Sequence, residues 1–214
     1  MTFDKKWDLD IYKKKKQINK YPHDKIVTFI NKYFSKKKNI LKKLVALDLG
    51  CGTGNNMKFL SEFGFGKVIG IDGSISAVKE AKNFLKRNKN CKIMNGDFNN
   101  IQLKKNSVSV CIDRGSITHN NKKNIKAILG EVNRVLKSNG IFLSYLFSIN
   151  HYAYVKSKNR FFKKETNSKK GLITSFFSRS EIQNLFKNFK IQIIIHEINF
   201  NITSNRKSSM WFVV

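Results

Sequence analysis

The stretch from Val45 to Asn56, VALDLGCGTGNN, constrains this chain more than any other. Its first half, Val45 to Leu49, is an apolar run broken only by Asp48, the pattern of a buried strand. Gly50, Gly52 and Gly54 then alternate with Cys51 and Thr53, so the backbone can turn sharply and lie close to a ligand. Met57 to Leu60 begins a helical pattern. A strand, a glycine turn and a helix N-terminus make a nucleotide-type site, because the turn amides and the helix dipole face the ligand.

The spacing bears on which nucleotide. A dinucleotide fold uses G-x-G-x-x-G, whose third glycine packs against the strand. Here the spacing is G-x-G-x-G, and Asp48 precedes the first glycine in the strand. That acid suits a ligand ammonium, which NAD lacks and S-adenosylmethionine (SAM) carries. The stretch resembles the first motif of the class I SAM-dependent methyltransferases. The resemblance implies an α/β, Rossmann-like, seven-stranded, mostly parallel sheet of order 3-2-1-4-5-7-6 with helices on both faces. It also implies SAM as cofactor and S-adenosylhomocysteine as product, with Asp48, Gly50, Cys51, Gly52 and Gly54 at the methionine end.

Val68 to Asp72 reads as the next strand, its terminal acid about twenty residues after the glycine turn, where a carboxylate can accept both ribose hydroxyls. Gly70 to Val78 resembles the family's second motif, which adds Gly73 and Ser74 to the cofactor side. Ser74 also caps a helix whose apolar face is Ile75, Val78, Ala81 and Leu85. After a third strand at Cys91 to Met94, the resemblance assigns Asp97 to the adenine amino group and Phe98 to the ring. The fourth strand, Val108 to Asp113, runs into DRGSITHNN. Asp113 and Arg114 are read there as cofactor-side residues, and His119 as the catalytic general base, since an unperturbed imidazole titrates near neutrality. The chain's single proline, Pro22, disfavours the Asp/Asn-Pro-Pro-aromatic subclass that methylates amino groups of bases and glutamine. An Asp-Arg-x-x-x-Thr run is similar instead to enzymes of bacterial surface-glycan gene clusters.

Further on, Asn124 to Leu136 has a helical apolar stripe, with Gly140 suited to a left-handed C-cap. Glu131 to Phe142 resembles the family's helix, turn and fifth strand. Residues 148–177 are the least regular stretch, read as a substrate lid in which His151 is the alternative base. Ser178 or Ser180 caps a last helix, and Ile191–Ile198 and Met210–Val214 close the sheet.

At 214 residues the chain fits a single methyltransferase domain, with residues 1–43 as a helical extension and 44–214 as the SAM-binding core. In the extension, Trp7, Ile11 and Tyr12 recur at helical spacing, and Asp24 is placed to cap the following helix. Gln17, Asn19, Tyr21 and Pro22 resemble a Q-x-N-x-Y-P segment that folds over the cofactor, so Tyr21 joins the cofactor-binding set. Cys51, Cys91 and Cys111 lie too far apart for a metal site, and their odd number suits reduced thiols in the cytoplasm. No apolar run approaches the ~20 residues that cross a bilayer, and the N-terminus lacks the apolar core of a secretory signal.

The net charge of +28 raises nucleic acid as a partner. Lys far outnumbers Arg and is spread over most segments beside abundant Asn and Ile, which fits genomic drift better than a recognition surface. The expectation is methyl transfer to a small-molecule acceptor, favoured if anionic, such as a sugar or surface-glycan precursor. An RNA or tRNA methyltransferase and a non-catalytic SAM-binding regulator are the alternatives.

Overall fold

The computed structural model describes residues 3–156 and 172–214. Eight strands form one sheet: β1 (Val45–Leu49), β2 (Lys67–Asp72), β3 (Cys91–Asn95), β4 (Val108–Asp113), β5 (Leu136–Ser148), β6 (Phe176–Phe177), β7 (Ile194–Asn201) and β8 (Arg206–Val213). Their order is β3-β2-β1-β4-β5-β8-β7, with β6 pairing off this path to β5. The strands β1 to β5 run parallel, and β8 inserts antiparallel between β5 and β7. With the two-residue β6 set aside, this is the order the family resemblance implies. β6 finds room because β4 ends at the Asp113–Ser144 register pair, leaving β5 free at Phe147.

The helices are α1 (Asp24–Phe34), α2 (Lys38–Leu41), α3 (Asn55–Phe63), α4 (Ile75–Phe84), α5 (Lys122–Val135), α6 (Tyr152–Lys156) and α7 (Arg179–Leu185). Alternation along the strands builds a core on each face. Leu47, Leu49, Ile69 and Cys111 meet Ile125, Ile128 and Val132 of α5 and Ile182 of α7. Ala46, Val68, Val110 and Ile112 meet Ile26, Phe29 and Ile30 of α1 and Met57 and Leu60 of α3. Each such fully buried aliphatic side chain contributes roughly 1.5–3 kcal/mol over an exposed one. β1 is covered on both faces and has β2 and β4 as neighbours. That places its C-terminal end at the switch in strand order where α/β sheets bind ligands. Among the described residues no helix is long and apolar enough to cross a membrane.

Three local expectations change. Gly140 is not a left-handed cap: α5 ends at Val135, Leu136 is already extended, and residues 137–140 fall in the register shift between β4 and β5. Glycine is needed there for space, since a Cβ would lie 2.7 Å from Cγ of Leu136. Asp24 is the first residue of α1 rather than its cap, which is His23 with no side-chain bond. Ile75 is 70% exposed, because Ala77, Val78 and Ala81 form the buried face of α4. The supposed lid lies partly outside the described residues, and its described ends form α6 and β6. Ser178 does cap α7, in a reciprocal capping box with Glu181.

Candidate active site

A cavity of about 390 Å³ opens at the C-terminal ends of β1, β2 and β4. Of the expected site residues, Tyr21, Gly50, Cys51, Gly52, Asp72, Gly73, Phe98, Arg114 and His119 line it. The glycine turn needs its glycines: Gly50 and Gly52 have φ of +76° and +53°. A Cβ on Gly50 would lie 1.9 Å from Oγ of Ser116, and one on Gly52 would lie 2.8 Å from the Tyr12 hydroxyl oxygen. The amides of Gly50 and Cys51 donate to the Ile71 carbonyl of β2, which holds the turn against the neighbouring strand end.

Asp72 anchors this arrangement. Its Oδ2 accepts from the Gly52 amide at 2.9 Å and its Oδ1 from the Ser74 amide at 2.8 Å. Each oxygen keeps a further lone pair for a hydroxyl donor. Burial raises its pKa to about 6, against the lowering effect of the two amides. Ser74 is fully buried and faces away from the cavity wall, with its hydroxyl capping α4 through the Ala77 amide.

Asp48 lies behind the turn, not on the cavity wall, and is 1% exposed. Its Oδ2 has no hydrogen-bond partner among the described residues. Burial first, then the nearby Asp113 and Asp72 carboxylates, push its pKa up to about 8. A buried carboxyl short of a donor, beneath a turn made for close approach, fits a cationic amino-acid end, as SAM has.

Three expected residues are occupied elsewhere. Asp113 accepts from the Ser116 and Ile117 amides and from the Ser144 hydroxyl at 2.7, 3.1 and 2.8 Å, so it fixes the turn after β4 from behind the cavity. Asp97 accepts from the Asn99 amide within its own turn and does not reach the cavity wall, although its neighbour Phe98 does. Gly54 packs against Leu85 and Ala81 at the start of α3.

His119 faces the cavity from a short 3-10 turn, Ile117–His119. Its Nδ1 lies 3.0 Å from the Thr174 hydroxyl, and the Trp7 ring meets its ring edge-on at 4.8 Å. Burial holds its pKa down at about 4, well below the near-neutral value expected of it. His151 is buried against Phe147 and Phe176 and accepts from the Ala153 amide, away from the cavity.

The N-terminal segment closes the site, and much of how it does so has no sequence signature. A π-helical turn at Trp7–Tyr12 lays Trp7 and Tyr12 against the cavity. Asp8 accepts from the Ser74 hydroxyl at 2.5 Å and the Ser76 amide at 2.8 Å, a second cap on α4. The strap that follows is tied to α3 and its approach. The Thr53 hydroxyl donates to the Asn19 carbonyl at 2.8 Å, the Asn55 amide group to the Tyr21 carbonyl at 2.7 Å, and the His23 amide to Asn56 at 3.0 Å. Tyr21 itself is 82% exposed at the rim.

A family model described as a methyltransferase domain matches residues 46–140. An uncharacterized protein of Methanocaldococcus jannaschii is 30% identical over 189 residues, spanning 80% of this chain and 70% of its own length. The human EEF1A lysine methyltransferase 2 is 31% identical over 105 residues, covering 45% of this chain and 44% of that protein. In fold, a SAM-dependent methyltransferase from Methanosarcina mazei superposes with a TM-score of 0.66 at 20% identity, covering 79% of this chain and 90% of its own. Its G-x-G-x-G turn at the switch point, the acids of β1 and β2, the strand order and these matches together assign the chain: it belongs to the class I SAM-dependent methyltransferases.

Proposed function

We propose that this SAM-dependent methyltransferase delivers its methyl group to an amine, with a lysine side chain of an acidic protein as the acceptor class. The observation that carries this is the charge of the cavity. The chain has 42 Lys and Arg residues, yet among the described residues Arg114 alone of them reaches the cavity wall, against Asp4, Asp24 and Asp72. A cavity depleted of cations in so basic a protein suits a cationic or amine ligand, while the +28 surface draws in a partner of opposite sign. The lysine-directed name of the human relative points the same way.

In this reading Asp48 takes the cofactor's ammonium, Asp72 its ribose hydroxyls, and the Gly50–Gly54 turn its backbone approach, with Phe98 beside the adenine and Tyr21 at the rim. Bound SAM supplies an electrophilic methyl on a sulfonium, so the protein's work is to align the acceptor lone pair. A lysine amine, protonated at physiological pH, bares that lone pair once its proton has left to solvent, before the new bond forms. A hydroxyl acceptor, as on a sugar or surface-glycan precursor, would call for a base. His119, neutral with a pKa of about 4, is a weak one at physiological pH. Its place against Trp7 and Thr174 makes it a wall of the acceptor slot. The strap and the core then act as one methyltransferase domain.

The test is incubation of the enzyme and methyl-labelled SAM with lysine peptides flanked by acidic residues, nucleotide sugars and tRNA, followed by hydrolysis and chromatography. Methylated lysine is the expected product. Label confined to sugar oxygens or to tRNA overturns the reading.

A further inference from the structure

The two edges of the sheet differ in how they meet solvent. β3 is five residues long and carries an exposed lysine, Lys92, a usual guard against pairing with another chain. β7 is eight residues long, holds no cation, and among the described residues has β8 as its one strand neighbour. Ile193 and Val214 exchange amide bonds, which fixes the alternation along the register. Ile195, Glu197, Asn199 and Asn201 therefore bond to β8, while the backbone N–H and C=O groups of Ile194, His196, Ile198 and Phe200 point out from the sheet. Of the nine exposed large hydrophobic residues among those described, four lie on this strand or in the turn after it: Ile195, Ile198, Phe200 and Ile202. Its outer half also lacks support. β8 pairs with β5 only from Met210 to Val213, so Ile198–Asn201 and Arg206–Ser209 extend past β5 as a two-stranded ribbon. Such a ribbon is marginal in water by itself.

Charge says which partner fits this edge. Lys and Arg make up 42 of the 214 residues, yet none occurs between Lys190 and Arg206, where the average density would place about three. The two other stretches of comparable length without them, 44–57 and 138–155, are buried for the most part, whereas this one is largely exposed. The cations around it stand back. Arg206 and Lys207 are on β8, one strand in from the edge, and Lys25 is held 3.4 Å from Glu197. An acidic partner would be met by lysines. A surface that meets a second molecule of charge +28 has to be free of them, since like charges in contact oppose association.

We infer that β7 is a self-association edge, at which two copies of the chain pair antiparallel about a two-fold axis and join their sheets. An isologous contact of this kind closes on itself and stops at two copies. The register follows from the side chains. With Asn199 on the axis, Ile198 of each copy faces Phe200 of the other, an apolar–aromatic pair formed twice. Glu197 then faces Asn201 and His196 faces Ile202, so no like charges lie opposite one another. A register two residues back would set Glu197 against Glu197 of the other copy, which is unfavourable.

The test is sedimentation velocity of the full chain over a range of concentrations, comparing wild type with Ile198→Lys and Ile202→Lys. Wild type should sediment as a dimer, and each lysine should weaken it at least about tenfold by placing two cations in the paired strands. S-adenosylhomocysteine affinity should stay unchanged, as proof of an intact fold. Ile202 is 85% exposed, so its variant remains informative should Ile198→Lys misfold. Added salt should strengthen the wild-type dimer by screening the like charges. Cysteine cross-linking checks the register. Asn199→Cys lies about 4.5 Å from its counterpart, in a non-hydrogen-bonded pair, and should form a disulfide between copies on mild oxidation. Asn201→Cys, roughly 14 Å from its counterpart, should not. A wild-type monomer, a dimer indifferent to both lysines, a dimer that salt dissociates, or cross-linking at Asn201→Cys in place of Asn199→Cys overturns the proposal. So does a monomer whose β7 amides are protected from hydrogen exchange, because something other than a second copy then covers the edge.

Discussion

Asp48→Asn isolates the buried carboxyl beneath the glycine turn. The native carboxyl titrates at about 8 in the folded protein and at about 3.9 in an unfolded chain. Between those values the folded state holds a proton that the unfolded state has released, so stability falls as pH rises. The slope for one group is about 1.36 kcal/mol per pH unit, or roughly 2.7 kcal/mol between pH 5 and pH 7. Asparagine keeps the side-chain shape and does not titrate. The stability of Asp48→Asn relative to wild type should therefore rise by roughly 2.7 kcal/mol from pH 5 to pH 7, whatever its absolute offset. Asp72 and Asp113, each raised to about 6, titrate in both proteins and largely cancel in the difference. Urea denaturation of the cofactor-free proteins at the two pH values measures the gap directly. In thermal melts it corresponds to roughly 5–10 °C for a chain of this size. Saturating SAM should narrow it, because an ammonium beside Asp48 favours the ionised carboxylate. A gap that is the same at both pH values would refute the assignment of a proton to Asp48 in the folded state.

Three further outcomes follow from the site. Asp72→Asn should weaken SAM binding at least about tenfold by calorimetry, since the amide cannot accept on both sides as the carboxylate does. His119→Ala should lower kcat by less than the 10²–10⁴-fold expected of a general base, and the rate ratio to wild type should stay flat from pH 6 to pH 8. That follows because a group titrating at about 4 is already neutral there; an inflection near neutrality lost in the variant would restore its role as base. Filter binding to tRNA at physiological salt should give only the roughly 10⁻⁴–10⁻⁶ M of non-specific association, nanomolar affinity for one tRNA being the contrary result.

The glycine turn, the strands on either side of it and the Ser74 cap were legible because their causes are local. A continuous apolar run marks a strand covered on both faces, and glycines at positive φ mark a turn. The family resemblance carried the strand order, including the antiparallel insertion of β8, which propensity does not encode. Gly140 was misread because its glycine answers to crowding by Leu136, a contact that a C-cap pattern imitates. The strap's ties to Thr53, Asn55 and Asn56 were hidden for another reason: each joins a side chain to backbone more than thirty residues away.

By itself the sequence determined the class of site: a methyl-donor pocket built on one strand, one turn and two acids. Which acids stay free within it was a tertiary decision. Asp48 and Asp113 look alike near the ends of neighbouring strands, yet Asp113 is filled by two amides and a hydroxyl while Asp48 keeps an oxygen with no hydrogen-bond partner among the described residues. The same holds for His119, whose titration is shifted by the residues that bury it. Desolvation and hydrogen-bond partners are properties of the packed neighbourhood, and a one-dimensional pattern records residue type without recording who stands beside it.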